Sequence, residues 1–157
     1  MKSKRGFTII ELLVVVTIML VMLGGGIAAF IKFNEKQKAI SGGKLILEQL
    51  RSAQTLARIG EKPTGCTKLE GYRVSSYVEA GITKIKVSPV CLPAISSADK
   101  ITPLPDGVTL ESSFNISFRG LHGGTNDPET KIVVKNNTII YELTVTKGGE
   151  IIDTGLK

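Results

Sequence analysis

Lys4-Arg5-Gly6-Phe7-Thr8-Ile9-Ile10-Glu11-Leu12-Leu13-Val14-Val15-Val16 is the stretch that decides how this chain is read. A short basic leader ends in glycine, and an apolar run follows directly and extends to Phe33. From Leu12 to Ile31 no residue is charged, and Thr17 alone has a polar side chain. A helix rises about 1.5 Å per residue, so this run matches a hydrocarbon core about 30 Å thick. Glu11 is the anomaly. A carboxylate at the edge of such a segment is costly unless paired, which marks it as functional.

A secretory signal peptide has a shorter apolar core, with small residues at a cleavage site behind it. Here the run is longer and the small residue, Gly6, stands in front. A plain anchor accounts for the hydrophobicity but not for Glu11, nor for Gly6-Phe7 abutting the run. The residues Lys4-Arg5-Gly6, Phe7 to Glu11 and Leu12 to Val16 resemble the processing site of type IV prepilins and pseudopilins. That resemblance implies cleavage after Gly6 by a prepilin peptidase, N-methylation of the new terminus at Phe7, and retention of Glu11. It further implies an α+β fold: a long N-terminal membrane-spanning helix packed against a small antiparallel β-sheet head. The domain plan is then leader 1–6, transmembrane and assembly helix 7–33, amphipathic continuation 34–60 and β-rich head 61–157.

Cleavage would leave an ammonium on Phe7 beside an apolar bundle. The Glu11 carboxylate of the same or a neighbouring subunit can neutralise it. A pair removed from water is favourable only when complementary, and orphaning one partner costs about 3–5 kcal/mol. Glu11 therefore reads as an assembly and register device.

The chain has 20 basic and 14 acidic residues, a formal charge of +6. Lys2, Lys4 and Arg5 lie in the leader. Residues 7–59 hold six basic and three acidic residues, and residues 60–157 hold eleven of each. The head is neutral and the surplus sits on the helix, so no basic cluster in the head calls for nucleic acid. Lys44, Arg51 and Arg58 repeat every seven residues on one helix face, with Glu48 spaced to offset them. That stripe suits either an acidic surface of a neighbouring subunit or plain solvation. Ile46, Leu47, Leu50, Ala53, Gln54 and Ala57 share another face, expected to pack under the head.

Gly24, Gly25 and Gly26 interrupt the apolar run, and Gly42-Gly43 falls where the helix should meet the head. Each glycine costs about 1 kcal/mol against alanine in a helix interior. The triple glycine is a candidate hinge, with close helix–helix packing as the alternative. Filaments of the resembled family often melt this part of the helix near a proline, and this anchor has none.

Glu61 to Gly65, with Pro63, should end the helix. Strands are expected at Tyr72–Val78 and Ile82–Val90 around a turn at Glu79-Ala80-Gly81, then a proline-marked loop over roughly 89–107. Val108–Phe118 reads as one strand region and Gly120–Glu129 as a loop. Further strands follow at Lys131–Lys135, Thr138–Thr146 and Glu150–Ile152. Asn136-Asn137 and Gly148-Gly149 are their tight connections, which gives an antiparallel meander of open strand order. Phe114 to Gly120 and Lys147 to Ile151 loosely resemble the heads of H-type minor pseudopilins and related minor pilins.

Cys66 and Cys91 lack metal-ligand spacing, and His122 is the single histidine. A disulfide is expected if the head crosses into an oxidising compartment, with two free buried thiols as the alternative. Major pilins of the resembled family often place theirs near the carboxyl end, whereas this pair sits early in the head. His122, among glycines, reads as an exposed loop residue with no partnered nucleophile. No phosphate loop, dinucleotide fingerprint or paired-histidine motif occurs. Asn126, Asp127 and Glu129 lack a calcium-loop pattern and read as a solvated turn.

The sequence thus points away from an enzyme and toward a filament subunit without metal or cofactor. The expected partners are other pilin or pseudopilin subunits, the prepilin peptidase and methyltransferase, an inner-membrane assembly platform and the lipid bilayer. The expected location is a bacterial inner membrane, crossed once with the head outside the cytoplasm, before assembly into a periplasmic pseudopilus or a surface pilus. A minor pilin or pseudopilin, in pilus assembly or type II secretion, leads. The alternatives are a major pilus subunit and a tip pilin binding DNA or surfaces.

Overall fold

Apolar periodicity and turn chemistry build one long helix and eight strands in this computed structural model. It describes residues 6–94 and 99–157, with nothing said of the side chains of 23–26. The leader residues Met1–Arg5 lie outside the described residues. The hinge expected at Gly24, Gly25 and Gly26 lies outside those described in full.

Helix α1 spans Ile9–Ile59. It stops just before the expected Glu61–Gly65 signal, because Gly60 (φ 68°) adopts the left-handed cap conformation. The Glu61 N–H donates to the Leu56 carbonyl (3.2 Å) and the Gly60 N–H to the Ala57 carbonyl (3.3 Å), which satisfies orphan carbonyls. Two compact units divide at Asn34/Glu35.

In the first unit, the apolar residues described on α1 between Ile9 and Phe33 are exposed all around, as is Phe7 before it. Among the described residues, one helix is long and apolar enough to cross a membrane, with a mean hydropathy of 2.6 over its 18-residue window. The Thr17 hydroxyl donates to the Leu13 carbonyl (2.7 Å), so the one polar side chain of the run is satisfied within the helix.

In the second unit, Ile46, Leu50, Ala53 and Ala57 are wholly buried at helical spacing and form one core with both sheets. The strands are β1 (Lys68–Glu79), β2 (Ile82–Leu92), β3 (Lys100–Pro103) and β4 (Thr109–Leu110), then β5 (Asn115–Arg119), β6 (Thr130–Asn136), β7 (Ile139–Val145) and β8 (Ile151–Leu156). They form two antiparallel four-stranded sheets, β3-β2-β1-β5 and β4-β6-β7-β8. Val74, Ile85 and Ile116 bring the first sheet to the core, and Val134, Leu143 and Val145 bring the second.

Several expectations are corrected. The stretch 89–107 is not all loop. Strand β2 runs through Pro89 to Leu92, and β3 occupies Lys100–Pro103. Among the described residues β3 pairs with β2 only from Lys84 to Val87, so none pairs on that side at Pro89, where a missing N–H is tolerated. The single strand expected over Val108–Phe118 is two strands in different sheets: β4 pairs with β6 and β5 with β1. The chain changes sheet at Glu111–Ser113. Phe114 and Ser76 then exchange hydrogen bonds, Ser76 N–H to the Phe114 carbonyl (3.0 Å) and Phe114 N–H to the Ser76 hydroxyl (2.9 Å).

Two hairpin connections shift as well. Asn136 pairs with Ile139, so the turn is Asn137-Thr138, with Asn137 at φ 52°. Thr146 bonds Glu150 around a three-residue loop, Lys147-Gly148-Gly149, rather than two glycines. Two three-stranded meanders result, β1-β2-β3 and β6-β7-β8, one in each sheet.

Candidate functional site

Thr8-Ile9-Ile10-Glu11 starts the helix by capping chemistry that the sequence reading passed over. The Thr8 hydroxyl accepts the Glu11 N–H (3.3 Å), and the Thr8 carbonyl accepts the Leu12 N–H (3.2 Å). A Thr followed three residues later by Glu is the capping-box signature. The Glu11 carboxylate therefore stands in the first turn, where the helix dipole favours negative charge. Gly6, Phe7 and Thr8 precede the helix and are exposed, Phe7 at 83%. Among the described residues, no atom lies within 4 Å of the place a Cβ on Gly6 would take, so space does not require glycine there.

The head end of α1 is fastened by buried polar contacts. Gln54 Nε2 donates to the carbonyls of Gly123 (2.9 Å) and Gly149 (2.6 Å), tying the 120–125 loop and the β7–β8 hairpin to the helix. The Leu121 N–H donates to the Ala57 carbonyl (2.8 Å). A Cβ on Gly43 would collide with the Tyr141 ring, so glycine there lets the ring lie on the helix backbone. Tyr141 in turn donates from its hydroxyl to Asp153 Oδ2 (2.8 Å). Burial, then the Asp153 carboxylate, push its pKa up to about 12.

Cys66, just past the helix, and Cys91, near the end of β2, are joined by a disulfide with Cα atoms 5.5 Å apart. The bond ties the chain leaving α1 to the first sheet.

Among the described residues, no group of three or more His, Cys, Asp or Glu could hold a metal ion. The solvated turn expected at Asn126–Glu129 is instead partly structural. Half-buried Asp127 Oδ2 accepts the Ser117 N–H (2.7 Å) and the Thr125 hydroxyl (3.0 Å). His122 is exposed and lines a cleft of about 530 Å³ with Lys68, Arg73, Arg119, Glu70 and Asp127. The mixed charges there include no paired nucleophile and base.

The head's carboxylates are largely engaged at home. Lys84 binds Glu79 (2.6 Å), Lys86 binds Asp99 (2.5 Å) and Lys135 binds Glu111 (2.7 Å). Lys131 and Lys157 both bind Glu142 at 2.8 Å, and these hydrogen bonds, Lys131 first, hold its carboxyl below the usual range. Among the described residues, no ion pair joins Glu48 to Lys44 or Arg51, so any offset it gives acts through space and not by contact.

No curated protein and no solved structure matches this chain. Residues 1–27 match the family model described as the prokaryotic N-terminal methylation motif. With its apolar N-terminal helix and antiparallel sheets, the chain has the α+β layout of a pilin-like structural subunit, one that fits anchoring in an inner membrane. It carries at its N-terminus the signature of the type IV pilins and pseudopilins.

Proposed function

We propose that this chain is a minor pilin or pseudopilin, serving a type IV pilus or a type II secretion machine. It is made as a prepilin, cut between Gly6 and Phe7 and N-methylated at Phe7. The observation that carries this reading is the exposed, non-helical Gly6-Phe7-Thr8 segment set directly before a capped helix with Glu11 in its first turn. A peptidase must bind its scissile bond in extended form, and a helix would hide it. With no steric need for glycine at position 6, its role falls to recognition by the enzyme.

After the cut, residues 7–33 form an apolar cylinder that only lipid or other such helices can cover. Transfer from bilayer to filament exchanges one cover for the other. The Phe7 ammonium and the Glu11 carboxylate then need each other, because either alone in an apolar bundle is heavily penalised. Gly24, Gly25 and Gly26 supply the compliance that lets the helix adjust during that transfer. The early position of the disulfide favours the minor or pseudopilin reading over the major-subunit one.

The test is quantitative mass spectrometry of sheared filaments and of membranes from the native host. The expected species is a methylated peptide starting at Phe7, at trace level in filaments. The same peptide as the dominant filament species would make the chain a major pilin. An intact Met1 or Lys2 start would overturn the prepilin reading. Glu11→Ala is expected to leave cleavage intact and to reduce incorporation into filaments by tenfold or more, about 1.4 kcal/mol or above. Wild-type incorporation would remove Glu11 from the mechanism.

A further inference from the structure

The charges of the second unit are distributed unevenly, and the imbalance identifies a partner. Of the eleven carboxylates in residues 60–157, seven are engaged within their own head. Glu79, Asp99, Glu111 and Glu142 hold lysines, and Glu70 reaches Lys68 at 3.9 Å. Asp127 and Asp153 hold backbone and hydroxyl donors. The remaining four, Glu61, Asp106, Glu129 and Glu150, belong to four separate connections: after α1, between β3 and β4, before β6, and in the β7–β8 hairpin.

The helix face is the reverse. Lys44, Arg51 and Arg58 are exposed, and among the described residues none of them is in an ion pair. Seven-residue spacing keeps them on one side of α1 over about 21 Å of its axis. Two open hollows of about 440 and 420 Å³ lie along this side. Lys44 and Glu48 line both. Leu47 and Leu56 give the first an apolar floor, and Ile40 and Leu45 do so for the second.

We infer that this face of α1 docks a non-identical subunit presenting carboxylates along an elongated surface. The inference rests on the filament-subunit reading and names the kind of neighbour that reading requires. A second copy of this chain is a poor partner, because most of its head carboxylates and Glu35 are engaged internally, and the others, Glu48 on α1 among them, do not form a stripe. A nucleic acid or an anionic lipid surface would meet the cations but would leave the apolar floors unfilled. A protein surface supplies both acidic residues and side chains to enter the hollows. The filament, or at least the part of it that holds this chain, is then a hetero-assembly.

The test places a photo-crosslinking residue, p-benzoylphenylalanine, at Ser52 or Thr55 of the full chain in the native host, with adducts identified by mass spectrometry. Both positions line the first hollow. The expected adduct is a different filament subunit, joined through a peptide carrying at least two Asp or Glu residues. Charge reversal by Lys44→Glu, Arg51→Glu and Arg58→Glu should lower its yield about tenfold. The milder Lys44→Gln, Arg51→Gln and Arg58→Gln set should lower it about threefold, which covers the case in which the reversal perturbs folding. Lysines in place of the partner's carboxylates should restore the reversed chain. An adduct with a second copy, with lipid or with nucleic acid, no adduct from either position, or a yield indifferent to charge would each overturn the inference. The N-terminal peptide of the same samples separates the two readings. A methylated Phe7 start leaves the filament reading standing whatever the adduct, and an intact leader defeats that reading instead.

Discussion

The two halves of α1 are built on opposite rules. From Leu12 to Ile31 the helix carries no charge, and the large apolar side chains described there are exposed all around. From Glu35 to Ile59 it is amphipathic, with Ile46, Leu50, Ala53 and Ala57 wholly buried against two sheets. The first half has no intramolecular reason for its composition, so its sequence answers to lipid and to other subunits. The second half answers to its own core. Substitutions in the first half should therefore change processing and assembly while leaving head stability alone, and those in the second should do the reverse.

The largest effect expected within the head comes from removing the disulfide. Cys66 and Cys91 are 25 residues apart, and the chain-entropy account gives a crosslink of that span about 3 kcal/mol. Cys66→Ala with Cys91→Ala should lower the urea midpoint of the full chain in detergent, read by near-ultraviolet circular dichroism of the head. The fraction starting at Phe7 should not change. A loss of cleavage alongside the loss of stability would break the division between the halves.

Gly43→Ala sharpens the comparison from the helix side. Alanine gains about 1 kcal/mol of helix propensity. Its Cβ would collide with the Tyr141 ring, which is buried and pinned through Asp153. Overpacking of about 1–3 kcal/mol should win, for a net loss of up to about 2 kcal/mol. Ser41→Ala, exposed and two residues away, is the control and should move stability by no more than about 0.5 kcal/mol. A stabilised Gly43→Ala would mean that the ring yields freely.

The same division explains what was legible in the sequence. Residues 7–33 were readable because a membrane-length run and a misplaced carboxylate need no knowledge of the head. The buried face from Ile46 to Ala57 was readable from helical spacing. The role of Gln54 was not, since its acceptors, the Gly123 and Gly149 carbonyls, lie far along the chain and meet it only after both sheets form. The split of residues 108–118 between two sheets was hidden by continuous β propensity, with Ser112-Ser113 as its only local mark. Strand β3 was masked by the surrounding prolines, which an edge strand tolerates. The capping box at Thr8–Glu11 was legible and was overshadowed by the charge of Glu11 itself.

The smallest effect concerns pH and confines itself to the head. Tyr141 has its pKa raised from 10.0 to about 12 by burial and by Asp153, so the folded state binds its proton more tightly than the unfolded chain does. That contribution is complete below pH 10 and is lost as pH rises from 10 toward 12. Glu142 works at the other end. Lys131 and Lys157 lower its pKa from 4.5, so its contribution is present above pH 4.5 and fades as pH falls through the lowered value. Unfolding temperature should therefore decline on both flanks. Tyr141→Phe should remove the phenol's own share of the alkaline decline, and Glu142→Gln should flatten part of the acid one. The alkaline test has an independent readout, because absorbance titration should show two late-ionising tyrosines in wild type, Tyr72 and Tyr141, and one fewer in Tyr141→Phe. Neither variant should alter the methylated Phe7 peptide. If either did, the head and the apolar half of α1 would be energetically coupled, and the independence argued for the two halves would fail.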